Sequence, residues 1–338
     1  MGAEIFDITI IGAGPTGLFA AYYAGFRNLK VKVIDSMPEL GGQITALYPE
    51  KYIYDVAGFP KILGKELVRN LADQAGQYTP ALCLNEQVQE VHQEGERHIR
   101  LVTDLGEHHT RAVIITAGIG TFRPRTLPNP AFSRFEGKGL AYFVKEVAEY
   151  RDRDLLIVGG GDSALDWALN LEGITRRTTL IHRRDRFRAH EDSAKKLYES
   201  SVDVKTFFEL KDILGNAEVE GAIIYDNRTK AEERLPVNAV LACLGFHSNL
   251  GPLKSWGLHF DDDDAIVVNT RMETNLPGVY GAGDIVGFPG KLKLIATGFG
   301  EAATAVNNAA AHINPGAKVF PGHSSTIMEK QDKAGERE

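Results

Sequence analysis

Short apolar runs, each ending in a glycine-rich or polar turn, divide the chain into repeating units. The first unit predicts a strand over residues 7–11, a helix over 15–25 and a strand over 31–35. Two parallel strands that neighbour each other need a crossover connection, so this order predicts a βαβ unit. The same order returns with a strand over 155–158, a helix over 163–171 and a strand over 179–181. The chain therefore contains an internal repeat of a whole α/β domain.

The pattern predicts further elements after each unit. After the first, it predicts a helix over 64–77 and alternating strands over 83–91, 99–103 and 111–116. After the second, it predicts a helix over 188–200, a strand pair over 219–226 and 234–242, and an alanine-rich helix over 300–312.

Domain boundaries are indicated by proline and by the end of the repeat. Pro124, Pro128 and Pro130 interrupt regular structure, so a boundary near 118–130 is expected. The segment after Pro277 belongs to neither repeat, and the simplest assembly returns it to the first domain. The predicted domains are therefore 1–118 with 277–338, and 119–276.

Composition narrows the function classes. The 338 residues exceed what one core usually holds, and the net charge of −7 argues against a nucleic-acid-binding protein. No apolar run approaches the roughly 18 residues of a membrane span, so we expect no membrane span and a cytoplasmic location. The two cysteines and 10 histidines show no ligand spacing, so no metal site is expected.

A dinucleotide fingerprint follows the first predicted strand. Gly12, Gly14 and Gly17 have the spacing that gives a tight turn, admits a pyrophosphate and lets helix and strand pack closely. Asp35 stands 23 residues after Gly12, where such a fold reads the adenosine ribose. A carboxylate there accepts hydrogen bonds from ribose hydroxyls and repels a 2′-phosphate. The first site is therefore predicted to bind FAD or NAD. Thr16 is either a phosphate donor or a first-turn residue without that role.

The second fingerprint has the opposite charge at its far end. Gly159, Gly161 and Ala164 repeat the spacing, and His182 stands 23 residues after Gly159. The next residues include the candidates for binding a 2′-phosphate, Arg183, Arg184 and Arg188. Guanidinium groups bind phosphate bidentately, so this site predicts NADP(H). Two dinucleotides on one chain suggest that electrons pass between them.

The segment after Pro277 offers two more candidates. Asp284 follows a predicted strand and a glycine turn, where it is either a hydrogen-bond acceptor for a flavin ribityl hydroxyl or an ordinary turn residue. The helix predicted to begin near Gly300 would direct its N-terminus at the electron-rich pyrimidine end of a reduced flavin.

Together these motifs resemble the two-dinucleotide flavoprotein family that includes thioredoxin reductase, over nearly the whole chain. The resemblance implies an α/β fold of two Rossmann-like (three-layer ββα) dinucleotide-binding domains. The first, discontinuous domain would bind FAD and the inserted one NADP(H). Residues 139–146 occupy the place of that family's CxxC dithiol but contain no cysteine, so a dithiol relay there is excluded. Residues 47–60 and 320–325 are similar to the thioredoxin-reductase-like (type 2) ferredoxin–NADP+ reductases.

That narrower resemblance assigns further residues. Tyr48 would stack on one face of the isoalloxazine, and His323 from the partner subunit of a homodimer would cover the other. The residues implied to line the FAD site are Gln43, Val88, Phe122 and Thr326. From the residues alone, Tyr48 as loop packing and His323 as a plain tail residue stay open. No residue is expected to act as a catalytic acid or base.

The resemblance implies an FAD-dependent enzyme that exchanges electrons between NADPH and ferredoxin or flavodoxin, by hydride transfer to flavin N5 and single-electron release. One alternative is an NADPH-dependent flavoprotein reductase of a small acceptor (quinone, oxygen or free flavin). Another is a redox sensor without useful turnover. Because ferredoxins are acidic, a basic docking patch is expected, for which the candidates are Arg123, Arg125, Lys291 and Lys293.

Overall fold

The structure is a computed structural model, which describes residues 4–189 and 191–325, without the side chains of 122, 123, 247 and 248. The chain divides into two compact units. The first comprises the described residues of Met1–Thr45, Tyr52–Thr121 and Asn249–Glu338. The second comprises the described residues of Ala46–Lys51 and Phe122–Ser248.

The strands are numbered in chain order. The first eight are β1 (Ile5–Ile11), β2 (Val31–Asp35), β3 (Tyr52–Ile53), β4 (Ile62–Leu63), β5 (Ala81–Leu84), β6 (Val88–Gly95), β7 (His98–Thr103) and β8 (Glu107–Ile115). The next ten are β9 (Thr121–Pro124), β10 (Leu140–Ala141), β11 (Asp154–Gly159), β12 (Arg177–His182), β13 (Asp203–Thr206), β14 (Phe208–Leu214), β15 (Gly221–Asp226), β16 (Glu232–Leu235), β17 (Ala239–Cys243) and β18 (Phe246–Asn249). The last three are β19 (Ile266–Val267), β20 (Val279–Gly281) and β21 (Val286–Gly287).

The helices are α1 (Pro15–Phe26), α2 (Gln43–Leu47), α3 (Gly64–Gly76), α4 (Asp162–Asn170), α5 (Glu191–Glu199) and α6 (Ile295–Ile313). Short 3₁₀ helices occupy Pro130–Phe135, Val147–Tyr150 and Gly251–Ser255. No helix of the described residues is long and apolar enough to cross a membrane.

The first unit is built on a parallel sheet with the strand order β5-β2-β1-β8-β20. All five residues of β2 are buried, as expected of a parallel strand covered on both faces. Helix α1 packs against α3 and α6, while β6, β7 and the first half of β8 form an antiparallel meander. Strand β20 lies after the second unit in the chain, so the first unit is discontinuous.

The second unit is built on a parallel sheet with the order β10-β17-β11-β12-β13. Successive residues of β11 point to opposite faces: Leu155 and Ile157 join the core beneath α4 and α5. Leu156 and Val158 join the core shared with the antiparallel sheet β14-β15-β16. Helices on one face and a small sheet on the other make three layers. With the parallel, helix-covered sheet of the first unit, this confirms the predicted fold class.

Several element predictions differ from the structure. The strand predicted over 234–242 is two strands, β16 and β17, because Pro236 lies between them and cannot donate to a ladder. The strand predicted over 83–91 is broken at Asn85, which has a φ of 55°. Helix α6 begins at Ile295, five residues before the predicted start. Strand β14 was not predicted.

The compact units also differ from the predicted domain limits. Residues 249–276 belong with the first unit rather than the second. The 3₁₀ helix Gly251–Ser255 packs on β6, and Trp256 Nε1 donates to Gln89 O at 2.8 Å. In the same stretch β19 pairs with β21. The assignment of one dinucleotide to each domain remains a prediction.

Candidate dinucleotide sites

The first glycine turn joins β1 to α1. Gly12 has a φ of +109°, and a Cβ added there would lie 2.6 Å from the carbonyl oxygen of Thr116. A Cβ at Gly17 would overlap the carbonyl oxygen of Gly12. Both positions therefore require glycine for the fold itself. Helix α1 begins at Pro15 with no side-chain cap, so its first backbone N–H groups are available to an anion.

Gly14 differs from the other two glycines. Its backbone is extended (φ −69°, ψ −178°), and a Cβ added there would have no atom within 4 Å. Directly opposite, a Cβ on Gly42 would lie 3.1 Å from Gly14 Cα, and Gly41 N donates to Ala13 O at 2.9 Å. Open space at the N-terminus of a helix is the cradle that a pyrophosphate requires.

Asp35 lies at the end of β2 and folds back on the turn. Its Oδ2 accepts from Ala13 N at 2.5 Å, and its Oδ1 accepts from Met37 N at 2.8 Å. Burial raises the pKa of Asp35, and these two backbone hydrogen bonds oppose that rise. Each carboxylate oxygen has a further lone pair, so both can still accept a ribose hydroxyl.

Thr16 is buried against the C-terminal part of the first unit. A Cβ added at Gly283 would lie 2.9 Å from Thr16 Oγ1, and one at Gly298 would also contact that oxygen. This packing explains why α6 accommodates a glycine in its first turn. Gln43, which opens α2, places its Nε2 2.9 Å from the position of a Cβ on Gly118. Turns after β1, β8 and β20 thus meet at one edge of the sheet.

An ion pair that sequence reasoning missed holds this edge. Lys291 Nζ contacts both carboxylate oxygens of Glu301, at 2.5 and 2.6 Å, and the two side chains are 7% and 8% exposed. Gly283 N donates to Glu301 Oε2 at 2.8 Å, next to the half-buried Asp284. Lys291 is therefore not available as a docking residue. The signal for this pair is a single acid on an otherwise small and apolar face of α6.

The early start of α6 changes the prediction for its N-terminus. Glu301 lies in the second turn rather than the first, and the helix N-cap is Leu294. The free N–H groups are therefore those of Ile295 and its successors, not those near Gly300.

The remaining residues of the predicted FAD site are dispersed. Val88 is buried at the start of β6, whereas Tyr48 lies in Ala46–Lys51, which groups with the second unit. His323 is exposed and meets Phe320 edge-on, with 5.6 Å between ring centroids. Only the backbone of Phe122 is described, in β9, and Thr326 lies outside the described residues.

The second glycine turn joins β11 to α4. A Cβ on Gly159 would lie 2.6 Å from Cys243 O and 2.9 Å from the Cβ of Ala164, so this glycine allows close packing of strand and helix. Gly161 is extended (φ −100°, ψ 178°) with open space at its Cβ position, like Gly14. The second unit therefore has a cradle of the same kind.

The arginine-rich segment after β12 is fixed to this turn. Arg188 N donates to Gly160 O at 2.7 Å, and a Cβ on Gly160 would overlap the His182 ring. Burial, with the charges of the nearby arginines, lowers the pKa of His182. Its Nε2 lies 3.1 Å from Arg186 O, which can only accept, so that nitrogen carries the proton. The guanidinium groups of Arg183, Arg184 and Arg188 belong to exposed residues beside the cradle.

Neither cysteine supplies a thiolate. Burial raises the pKa of Cys83 and raises that of Cys243 to about 12. Both thiols are free and stay protonated at neutral pH. This agrees with the absence of a dithiol in residues 139–146.

Comparison with known proteins identifies the family. Residues 6–309 match the family model described as pyridine nucleotide-disulphide oxidoreductase. This chain belongs to that family. A ferredoxin–NADP reductase of Halalkalibacterium halodurans is 54% identical over 326 residues, covering 96% of this chain and 98% of the relative. One of Symbiobacterium thermophilum is 52% identical over 331 residues, covering 97% and 98%.

A solved thioredoxin reductase of T. acidophilum has the same fold, with a TM-score of 0.73 and 25% identity. It covers 92% of this chain and 98% of its own. The family membership, the relatives and this structure confirm the resemblance to thioredoxin-reductase-like ferredoxin–NADP+ reductases.

Proposed function

We propose that this protein is an FAD-dependent oxidoreductase that transfers electrons between NADPH and ferredoxin or flavodoxin. The observation that carries the proposal is the pair of open glycine cradles with opposite charge beside them. Asp35 stands beside the first cradle, and the arginine-rich segment stands beside the second. The curated relatives at about half identity, named ferredoxin–NADP reductase, support this activity.

The residues of the first unit fit FAD. The N–H groups at the start of α1 would hold the pyrophosphate above Gly14, and Asp35 would accept the adenosine ribose hydroxyls. Asp284 would accept from the ribityl chain, and Gln43 and Val88 would line the same site. Tyr48 would cover one ring face, and His323 of a partner subunit would cover the other.

The residues of the second unit fit NADPH. Gly161 and the start of α4 would hold the pyrophosphate, and Arg183, Arg184 and Arg188 would bind the 2′-phosphate. A neutral His182 with its proton on Nε2 fixes the arginine-rich segment without adding charge. Because these arginines neutralise a phosphate that NADH lacks, they favour NADPH.

When bound, FAD accepts a hydride at N5 and releases electrons singly. The chain itself needs to orient the two dinucleotides and to keep competing groups away. No thiolate competes for the electrons, because both cysteine thiols are protonated at neutral pH. We therefore assign no side chain as a catalytic acid, base or nucleophile.

We further propose a homodimer located in the cytoplasm. The dimer is required if His323 is to reach the flavin of the partner subunit. Arg125 and Lys293 belong to exposed residues and remain candidates for contact with an acidic electron carrier.

Anaerobic stopped-flow absorbance tests the activity. The purified flavoprotein is mixed with NADPH or NADH, and the reduced protein is then mixed with oxidised ferredoxin. We expect NADPH to bleach the flavin band far faster than NADH does, and ferredoxin to reoxidise the protein rapidly. Protein without bound flavin would overturn the proposal. Flavin that is reduced but ignores ferredoxin would favour a small-molecule acceptor, and slow reduction by NADPH would favour a redox sensor.

Variants of the arginine-rich segment test its preference for NADPH. In R183A/R184A we expect KM for NADPH to rise by at least about 10–100-fold, because the loss of even one charge-assisted hydrogen bond to a phosphate costs roughly 1.5–3 kcal/mol. KM for NADH should change little. R186A is the matched control, because Arg186 is exposed in the same segment but is not assigned to the phosphate. Equal effects of the two variants would contradict the assignment.

A further inference from the structure

Two imidazoles and a carboxylate converge at the hairpin of the β6–β7–β8 meander. His98 Nε2 on β7 lies 3.0 Å from His109 Nδ1 on β8. Glu94 Oε2 on β6 lies 3.7 Å from His98 Nε2 and 3.9 Å from His109 Nδ1. These residues take no part in either dinucleotide site. The two histidines are 11 residues apart in the sequence, which is not a recognised spacing of metal ligands. Only the fold brings the three donor atoms together.

The size of this triangle matches the coordination sphere of a small divalent cation. A point equidistant from the three atoms lies about 2.1 Å from each, close to the 2.0–2.2 Å of zinc–nitrogen and zinc–oxygen bonds. Two histidines and one carboxylate are a recurrent ligand set for zinc and other first-row metals. Three protein ligands would leave at least one position for water.

The surrounding charges prepare the carboxylate for this role. Glu94 Oε1 accepts from Arg100 Nε at 2.5 Å, and Arg100 Nη1 also contacts Glu107 at 3.0 Å. Arg100 occupies one oxygen and leaves Oε2 facing the imidazoles, so it positions the ligand without blocking it.

The site can be reached from solvent. The side chains of His98 and Glu94 are 38% and 33% exposed, while that of His109 is 17% exposed. Two imidazole nitrogens 3.0 Å apart can share only one proton, so one of them already presents a lone pair towards the other. A cation would replace that single proton.

A second cluster in the same unit does not meet these conditions. The ligand atoms of Cys83, Glu86 and His108 also lie close together. The ammonium group of Lys32, however, lies 2.7 Å from His108 Nδ1, which must accept from it. The remaining imidazole proton is then on Nε2 and is donated to Glu86 at 2.6 Å. A cation there would displace a fully bonded network and face a fixed positive charge.

We propose that Glu94, His98 and His109 form a binding site for a divalent transition-metal cation of the zinc type. The cation joins all three strands of the meander, so it stabilises that layer of the first unit. It lies apart from the groups proposed to bind FAD and NADPH and takes no part in electron transfer.

The test uses the flavin-loaded, untagged protein after dialysis against a chelator. Isothermal titration with ZnCl₂ should give one equivalent per chain, and Co²⁺ should give the visible absorption bands of a cobalt–imidazole site. Saturating Zn²⁺ should raise the melting temperature, because ligand that binds only the folded state stabilises it. H98N and E94Q should each weaken Zn²⁺ binding at least tenfold.

H92N is the matched control, because His92 is paired with Glu90 at 2.7 Å on the same meander but has no second imidazole described beside it. It should bind Zn²⁺ as the unaltered protein does. The proposal would be overturned if the protein did not bind Zn²⁺ stoichiometrically at 100 μM, which is about the weakest dissociation constant expected of a built site. Equal binding by H98N and H92N would also overturn it. Because binding is read without turnover, these outcomes are independent of the proposed enzymatic activity.

Discussion

Gly14 and Gly161 are glycines that the fold alone does not require. Both have extended backbone that any residue adopts, and neither has an atom within 4 Å of a Cβ position. Gly12 and Gly17, in contrast, are enclosed by backbone. Within the first motif, the fold requires glycine at positions 12 and 17, whereas a bound ligand would be what requires it at position 14.

We expect G14A to fold normally and to bind FAD about 10–100-fold more weakly, because the methyl group would occupy the pyrophosphate cradle. Fluorescence titration of the apoprotein with FAD measures the affinity, and thermal melting checks the fold. G76A is the control, because Gly76 in α3 also has open space and an ordinary φ. FAD affinity in G14A equal to that in G76A would show that the open space does not receive the pyrophosphate.

The candidate ribose- and phosphate-binding residues could be predicted from the sequence, because the ends of strands are easy to place. Once β2 and β12 are recognised, Asp35 and the arginines after His182 must lie beside their turns. Glu301 and Lys291 were not paired from sequence, because their contact depends on how the loop after β20 folds onto α6. His98 and His109 were missed for a similar reason: a ladder between two strands brings them together, and no short motif encodes it.

At the level of elements, the loop between β20 and α6 is anchored by the pairing of β21 with β19 and by the buried side chain of Glu301. Its position depends on Glu301, which accepts from both the Gly283 amide and the Lys291 ammonium. A buried charge pair contributes little net stability, but breaking one partner leaves the other uncompensated. The loop that carries Asp284 is therefore sensitive to a change two turns into a helix.

We expect E301Q to destabilise the protein by about 2–4 kcal/mol, because Lys291 would keep a buried, unpaired charge. FAD should also dissociate more readily. The double variant K291M/E301Q should recover part of this loss, because glutamine still accepts from Gly283 and no charge remains. Urea unfolding followed by circular dichroism measures all three proteins. A double variant less stable than E301Q would contradict this explanation.

The turn between β15 and β16 provides a pH-dependent test. Asp226 Oδ1 accepts from Arg228 N and Thr229 N, and its Oδ2 accepts from the Arg228 guanidinium at 2.9 Å. The hydrogen bond from the Arg228 side chain, followed by that from its backbone, lowers the pKa of Asp226 far below its usual range. A carboxyl with a lowered folded-state pKa stabilises the fold above its unfolded pKa of about 3.9. That stability is lost as the pH falls towards the folded-state pKa.

We expect D226N to melt lower than the unaltered protein at pH 7, by on the order of 2 °C, because asparagine retains the backbone acceptor but loses the charge. The difference should shrink as the pH falls below about 4, where the Asp226 carboxyl of the unfolded chain begins to be protonated while that of the folded protein stays ionised. Melting temperatures between pH 3 and 7 test this. A difference that stays constant over that range would exclude the charge as its cause.

Element predictions were most accurate where periodicity and turn chemistry agreed. Strand β2 and the start of α1 match the structure residue for residue. The sequence pattern predicts the start of α6 at Gly300, five residues after its actual start at Ile295. Gly298 lies within the helix, and a Cβ there would overlap the Thr16 hydroxyl, so this helical position requires glycine. This tertiary contact is not visible in a local pattern.

For the whole molecule, the chain leaves and re-enters the first unit at adjacent points. Thr121 Oγ1 donates to Asn249 O at 3.1 Å, and a Cβ on Gly120 would lie 2.4 Å from that same oxygen. The two ends of the inserted segment therefore need only a short connection. Proline and the end of the repeat predict an insertion in the first domain, but composition does not predict that the 3₁₀ helix Gly251–Ser255 packs on β6.

We expect a variant in which a short glycine–serine linker replaces residues 122–248 to fold and to bind FAD. It should not be reduced by NADPH at a useful rate, and it should be less stable, because Lys51 loses its partner Asp166. Absorbance of bound flavin and circular dichroism measure the outcome. The comparison is a chain that ends before residue 278, which lacks β20 and α6 and should not fold. If the linker variant does not fold either, the first unit cannot fold without the second.

The late position of β20 has a consequence for biosynthesis. During translation the inserted unit is complete before the ribosome has made residues 279–281, which form the last strand of the first sheet. Domains fold as they emerge, at about 5–20 residues per second, so the inserted unit finishes first although the other unit began earlier. The nascent N-terminal strands must meanwhile wait with an unpaired edge, and the sheet that carries the FAD cradle can be completed only after residues 279–281 have been made. We therefore expect this protein to require chaperone protection of its first 121 residues rather than of its inserted unit.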